Sequence, residues 1–379
     1  MHLPVMSSDT KSSRTSLATT ITMATEFPIL DTMSTLMDPE PPRIVLPPPP
    51  FHLRIAYFVS LWSFKAFFSF CLGVSRLFQR RRAGLLRPEV KAYQIRPDLK
   101  NRIFRPEGSE NEKLPLYLDV HGGGWAVADP ETDDEFCSFI AQTFNIIVVS
   151  INYHKSPTYK YPHAAEDIAA IADAVINDRT LRIDEKKIVI GGFSAGGNLA
   201  FAASQLEILR GRISSIVGLY PALDLSETLK AKLERRPKNA PYDILKTSAN
   251  FLDWAYVPRG VDRRDPLLSP CYARREDLPP NVYLVGAEYD MLCYEAERMA
   301  EVLAAEAGGE RRDMPSIPKG DGWQQGNVRW ECARGRDHAF THITKRGRKE
   351  RERVKFCQEM YCRVGTWLRE EVWADSSVP

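Results

Sequence analysis

Across 379 residues, 51 Lys plus Arg stand against 49 Asp plus Glu, a formal net charge of +2, with 44% hydrophobic and 26% charged residues. That balance argues against nucleic acid as the main partner, because phosphate binding calls for a clear basic excess. The proportions are those of a globular chain, long enough for one large domain with an appendage. The seven cysteines (Cys71, Cys137, Cys271, Cys293, Cys332, Cys357 and Cys362) contain no C-x-x-C pair and imply neither a disulfide framework nor a zinc site. No N-x-S/T sequon occurs. The expected setting is reduced and intracellular, either cytoplasmic or anchored at the endoplasmic reticulum membrane.

Residues 1–50 are rich in Ser, Thr and Met and end in the proline run Pro47–Pro50. Such a composition cannot bury enough apolar surface to offset its ordering entropy, so the segment is expected to be disordered. Acidic residues and few arginines argue against a mitochondrial transit peptide, and no apolar stretch follows Met1.

Residues 51–87 form a separate unit. The stretch Ile55–Val74 is apolar and aromatic and leads into Arg76, Arg80, Arg81 and Arg82. It is long enough to cross a bilayer. Its ten Ile, Leu, Val and Phe residues contribute roughly −3 to −6 kcal/mol on the insertion scale, against about 3 for the central Lys65. Two readings stand side by side: a membrane anchor within residues 51–78, and a helix packed over a pocket.

From about residue 88 to 373 the pattern alternates between strand and helix. Apolar runs that read as buried parallel strands are Leu116–Val120, Ile146–Ile151, Lys187–Ile190, Ile213–Tyr220, Val282–Val285 and Val328–Cys332. Between them, Ala164, Ile168, Ile171 and Val175 share a helical face, as do Leu199, Ala202, Leu206 and Leu209. A last helix is expected from Lys349 to about Trp373, with 374–379 as a tail. Alternation at this spacing implies an α/β fold, a mostly parallel sheet covered on both faces. The stretch 224–265, with three prolines and many charges, reads as a cap insertion at the sheet's carboxyl side, where ligands bind in open α/β folds. The segment Gly308–Gln325 reads as an extra loop, and the run Lys345–Arg353, with its interleaved glutamates, as a solvated helix start.

Three motifs carry chemistry. Gly192-Phe193-Ser194-Ala195-Gly196 stands between a strand and a helix, where small flanking residues permit a turn sharp enough to expose the serine. His121-Gly122-Gly123-Gly124-Trp125 follows another strand. An acyl-transfer oxyanion needs preorganised N–H donors, and the Gly122–Gly124 loop supplies them through the amides of Gly123 and Gly124, joined by the amide of Ala195. His121 opens this turn and is expected to fix the loop rather than act as a base. A serine needs a base to accept its proton. Of seven histidines, His338 fits, in the loop after the last strand, with His342 as the near alternative. The carboxylate expected to orient it is Asp290, with Glu288 as the fallback, while Asp337 reads as a solvated loop charge. The order Ser194, Asp290, His338 is that of a Ser-Asp-His hydrolase.

The chain resembles the hormone-sensitive-lipase-like branch of the α/β-hydrolases, which includes arylacetamide-deacetylase-like esterases. The resemblance covers roughly residues 88–373. It rests on His121–Trp125, Tyr161-Pro162 with Asp167, Gly192–Gly197, Tyr220-Pro-Ala-Leu-Asp224, Asp265–Pro270, Leu278-Pro-Pro280, Gly286 with Asp290-Met-Leu292, and His338-Ala-Phe340. It implies an α/β-hydrolase fold with a helical cap, and a serine hydrolase acting on esters of small or medium acyl groups. No cofactor or metal is expected. Three departures bear on substrate choice and loop bonding: Phe193 where relatives often have Asp, Asn152–Thr158 for an Asp-Tyr-Arg-Leu-Ala-Pro-Glu stretch, and Ala339 for the usual Gly. An acyltransferase, lactonase or amidase tailoring a specialised metabolite remains the alternative. A non-catalytic ligand receptor is a third reading, disfavoured because such relatives typically lose the histidine.

Overall fold

The structure, a computed structural model, describes residues 42–78 and 84–374. The expected disorder of residues 1–41, the arginines Arg80–Arg82 and the tail beyond 374 lie outside the described residues. Within the expected disordered segment, Ile44 is tied to the domain, its amide donating to Asp262 Oδ1 at 2.9 Å and its carbonyl accepting from the Arg263 amide at 2.8 Å.

In chain order the elements are α1 (Phe51–Phe78), β1 (Glu89–Tyr93), β2 (Arg96–Phe104), β3 (Leu114–Val120), α2 (Asp134–Phe144), β4 (Ile147–Ile151), α3 (His163–Ile176), β5 (Ile183–Phe193), α4 (Ala195–Ser204) and β6 (Ser215–Leu219). There follow α5 (Leu229–Glu234), α6 (Leu245–Tyr256), β7 (Asn281–Ala287), α7 (Cys293–Ala307), β8 (Arg311–Asp313), β9 (Gly322–Gln325), β10 (Val328–Ala333) and α8 (Arg348–Trp367). The strands form one sheet in the order β1-β2-β4-β3-β5-β6-β7-β10-β9-β8. From β4 to β10 the pairing is parallel, and the strands at both edges are antiparallel. The six apolar runs of the sequence are the six parallel strands.

The period-2 alternation of side chains divides the core in two. Leu116, Leu118 and Val120 of β3 face α3, α4 and α7, packing with residues such as Ile168, Leu199 and Met299. Tyr117 of the same strand faces α2 and α8, with Phe136, Met360 and Trp367. Three sequence expectations need correction. Gly308–Gln325 is not only a loop, since it contains β8 and β9; β8 is three exposed charged residues and β9 is the short polar run Gly-Trp-Gln-Gln, so neither gives an apolar signal. The helix of Leu199 stops at Ser204, and Leu206 and Leu209 lie in turns beyond it. Arg353 is buried rather than solvated, because it donates to the Thr341 carbonyl in the loop after β10 and to Glu350.

α1 packs along α6 and the loop after β3. Leu61 is wholly buried among Val127, Leu252 and Ala255, and the Phe64 and Phe251 rings lie 5.6 Å apart. Lys65 turns inward, its Nζ donating to the carbonyls of Ala126 (2.7 Å) and Ser156 (2.9 Å). The insertion contributes α5 and α6. Its base is held by buried Glu295 of α7, which accepts from the amides of Leu223 (2.7 Å) and Asp224 (3.2 Å) and pairs with Lys232 of α5. Removing one member of a buried pair strands the other charge, at a cost of about 3 kcal/mol. Glu295→Gln is therefore expected to lower the unfolding free energy by that amount, read as a lower urea midpoint at unchanged slope; an unchanged midpoint would show that the pair does not hold the insertion.

Candidate active site

The site is built at the carboxyl ends of β3, β5, β7 and β10. In register, Val120 of β3 stands beside Gly192, and Phe193 beside Leu219 of β6. The chain then turns at Ser194, whose φ of 53° and ψ of −119° lie outside the helix and strand regions. Such a backbone is strained and persists only where its surroundings hold it. Here the Ser194 amide donates to the Leu219 carbonyl at 2.9 Å, and the Ser194 carbonyl accepts from Asn198 and Ala222. The flanking glycines are required by space. A Cβ on Gly196 would lie 2.0 Å from the Val120 carbonyl oxygen, and one on Gly192 would lie 2.3 Å from it.

This turn presents Ser194 to the loop after β10. Ser194 Oγ lies 2.9 Å from His338 Nε2, and His338 Nδ1 lies 2.6 Å from Asp290 Oδ2. Asp290 follows β7, where its other oxygen accepts from the Leu292 amide at 3.0 Å. His338 and Asp290 are both buried. Burial by itself pulls the His338 imidazole down, but the charge of Asp290 and its hydrogen bond outweigh that, so the ring titrates above its ordinary 6.5.

The glycine loop lies opposite. Gly123 and Gly124 have φ of 113° and 56°, and a Cβ on either would strike the Val127 carbonyl or the Leu252 side chain. These two conformations therefore admit only glycine without strain. Among the described residues, neither amide donates to a protein acceptor. The Ala195 amide opens α4, where a helix leaves its first N–H groups unused. Gly122 packs against the Phe193 carbonyl, and its own carbonyl accepts from His121 Nδ1 at 2.7 Å. His121 is buried, stacked on Tyr153 at 4.6 Å, and held well below its ordinary titration range by burial. Trp125 stacks on Tyr256 and donates to Asn198 Oδ1 at 3.2 Å, fixing the far end of the loop.

The competing residues are placed elsewhere. His342 is bonded to Asp133 at 2.8 Å and to Tyr220 at 3.0 Å. Glu288 accepts from the Gly335 amide at 2.6 Å and from Arg334, tying the base of the histidine loop. Asp337 is half-buried rather than solvated. The departure at Phe193 has a packing cause, since its ring sits among Phe136, Tyr220 and His342 where a carboxylate would be desolvated. Two supporting residues had no role assigned from the sequence, although Tyr220 opens the Tyr220–Asp224 motif. Asp243, in the insertion, accepts from the Met291 amide at 2.9 Å and so braces the turn that bears Asp290. The Tyr220 ring lies edge-on to His338 at 5.1 Å. Neither belongs to a motif with a fixed spacing from the residue it supports.

A cavity of about 1720 Å³ opens over Ser194 and His338, lined by Phe64 and Phe68 of α1, Phe251 and Leu252 of α6, and Phe136 of α2. Away from it, His154, His163 and Asp167 bring potential metal-binding atoms within 4.8 Å of one another. Asp167 is already paired with Arg96 at 2.5 Å and His154 at 2.7 Å, which balances its charge without an ion.

Residues 117–314 match the family model described as the alpha/beta hydrolase fold. An arylesterase of Saccharolobus solfataricus is 31% identical over 205 residues, 54% of this chain and 66% of that enzyme. Esterase LipI of Mycobacterium tuberculosis is 31% identical over 230 residues, 58% of this chain and 70% of its own. The fold is that of a hyperthermophilic esterase from Pyrobaculum calidifontis, with a TM-score of 0.63 at 21% identity, covering 85% of this chain and 98% of that one. With more than half of its length inside the family model and esterases as its relatives, the chain belongs to the α/β-hydrolase fold family, in the hormone-sensitive-lipase-like esterase branch.

Proposed function

We propose that the protein hydrolyses carboxylic esters through an acyl-enzyme on Ser194, with His338 as the proton carrier and Asp290 orienting it. The observation that supports this best is the unbroken chain Ser194 Oγ, His338 and Asp290, at 2.9 and 2.6 Å, beside amides without protein acceptors. Ser194 Oγ attacks the ester carbonyl while His338 Nε2 takes its proton. The amides of Gly123, Gly124 and Ala195 receive the charge that develops on the carbonyl oxygen. His338 then returns the proton to the leaving alcohol. Water, deprotonated by the same nitrogen, attacks the acyl-enzyme and releases the acid and Ser194. Ligand sites are commonly about 300–1,000 Å³. A cavity of about 1720 Å³ therefore leaves room for a bulky alcohol moiety beside a small or medium acyl group. Residues 88–373 supply the catalytic body and 224–265 the cap. The apolar α1 supports association with a membrane as well, being 28 residues long with no acidic side chain.

Two outcomes test the catalytic assignment. Ser194→Ala is expected to lose hydrolysis of p-nitrophenyl acetate and butyrate by several orders of magnitude, and to lose labelling by a fluorophosphonate; retention of parental rates would refute it. Because His338 accepts a proton only when neutral, and Asp290 raises its affinity for that proton, kcat/KM is expected to fall on acidification with its half-value above pH 6.5. Asp290→Asn removes the main raising influence and leaves burial opposed only by the charge of Asp243, so the half-value moves to lower pH and kcat drops by about 10⁴. A pH profile identical in the variant and the parent would place the orienting carboxylate elsewhere.

A further inference from the structure

α1 has two faces of different fate. Phe51, Ile55, Phe58, Val59, Phe67 and Phe70 each expose more than half of their surface. At 100° per residue Ile55, Val59, Phe67 and Phe70 lie on the side opposite Leu61, which is wholly buried, with Phe51 and Phe58 on its flank. The inner face is part of the active site's enclosure, since Ser60, Phe64, Phe68 and Leu72 line the cavity that reaches Ser194. An exposed apolar band of this extent marks a surface that something covers. The helix has no acidic residue, Arg76 stands near its end, and the sequence runs on to Arg80, Arg81 and Arg82. An apolar face with cations at its end is complementary to an anionic lipid surface.

We propose that α1 lies in the plane of an anionic membrane, its outer face sunk into the acyl boundary and its inner face walling the catalytic cavity, so that apolar esters enter from the lipid side. This rests on the reading of the protein as a membrane-associated esterase. The tie between α1 and the body decides between lying and spanning. A spanning helix puts its middle at the bilayer centre, and here the middle is where Lys65 donates to the carbonyls of Ala126 and Ser156 and where Phe64 packs on Phe251. Spanning would carry those loops into hydrocarbon, where irregular backbone exposed to lipid is not tolerated. Lying flat exposes only the outer face to lipid and leaves every one of those contacts intact. Helices of this kind sink about 5–10 Å into the interface, which suffices for the outer side chains without immersing the inner ones.

The test uses the full chain, preformed phosphatidylcholine vesicles with or without phosphatidylserine, and the triple variant Ile55→Glu, Val59→Glu, Phe70→Glu, none of which lines the cavity. The parent is expected to float with the vesicles that contain phosphatidylserine and to bind pure phosphatidylcholine more weakly. The variant should lose vesicle binding by at least about tenfold. It should keep the parental rate on soluble p-nitrophenyl acetate and lose rate on p-nitrophenyl palmitate held in the vesicles. Failure of the parent to bind either vesicle would remove the membrane reading itself, and a parental dimer that the variant dissociates would assign the face to a second copy of the chain. Unchanged binding in the variant would show that the wrong face was chosen. In membranes from expressing cells, a tag ahead of residue 51 and the hydrolase body should be digested by protease from the same side. Opposite sides would mean a spanning helix, overturning the in-plane placement while sparing membrane association. Loss of soluble-ester hydrolysis in Ser194→Ala reports on the catalytic reading independently of all these outcomes.

Discussion

Everything in the site depends on one backbone constraint, the passage from β5 to α4 through a serine whose φ is positive. The turn is tolerated because the strand end beside it leaves room for no side chain: Gly192 and Gly196 both sit against the Val120 carbonyl oxygen, at distances where a Cβ would be 2.3 and 2.0 Å away. This same closeness brings the end of β3, and with it the Gly122–Gly124 loop, alongside Ser194. A strain of about 1–3 kcal/mol is thus held by hydrogen bonds from neighbouring strands, and it delivers both the exposed hydroxyl and the nearby free amides.

The opposite wall is assembled from parts distant in sequence. Asp290 follows β7 and His338 follows β10, and the two strands pair directly in parallel, so their carboxyl ends emerge side by side. Around them a second tier of bonds removes freedom. Glu288 holds Gly335, Asp243 holds Met291, and Arg353 reaches from α8 to the Thr341 carbonyl. Each occupies a backbone group that an irregular loop would otherwise leave to water. The histidine loop is irregular in conformation but determined in position.

α1 links this chemistry to its surroundings. A helix with the composition of a membrane span is docked by its one central cation onto two loop carbonyls, which turns a costly residue into an anchor. The docking divides the helix into a face that lines the cavity and a face whose apolar side chains are exposed among the described residues. The energetic balance computed from composition alone could not separate these roles, because it treats every position on the helix as equivalent.

Much of this was legible in the residues. The six apolar runs became the six parallel strands because buried strands are continuous in hydrophobicity, and the nucleophile turn and glycine loop were readable because their geometry is local and demands specific small residues at fixed spacing. Long-range choices were not. That Phe193 belongs to an aromatic nest, that Asp243 braces the turn bearing Asp290, and that β8 and β9 extend the sheet all follow from which segments pack together. Sequence by itself determined the elements and the chemistry available; tertiary structure decided which groups meet, because hydrogen bonds and burial depend on distances that residues far apart in the chain acquire only on folding.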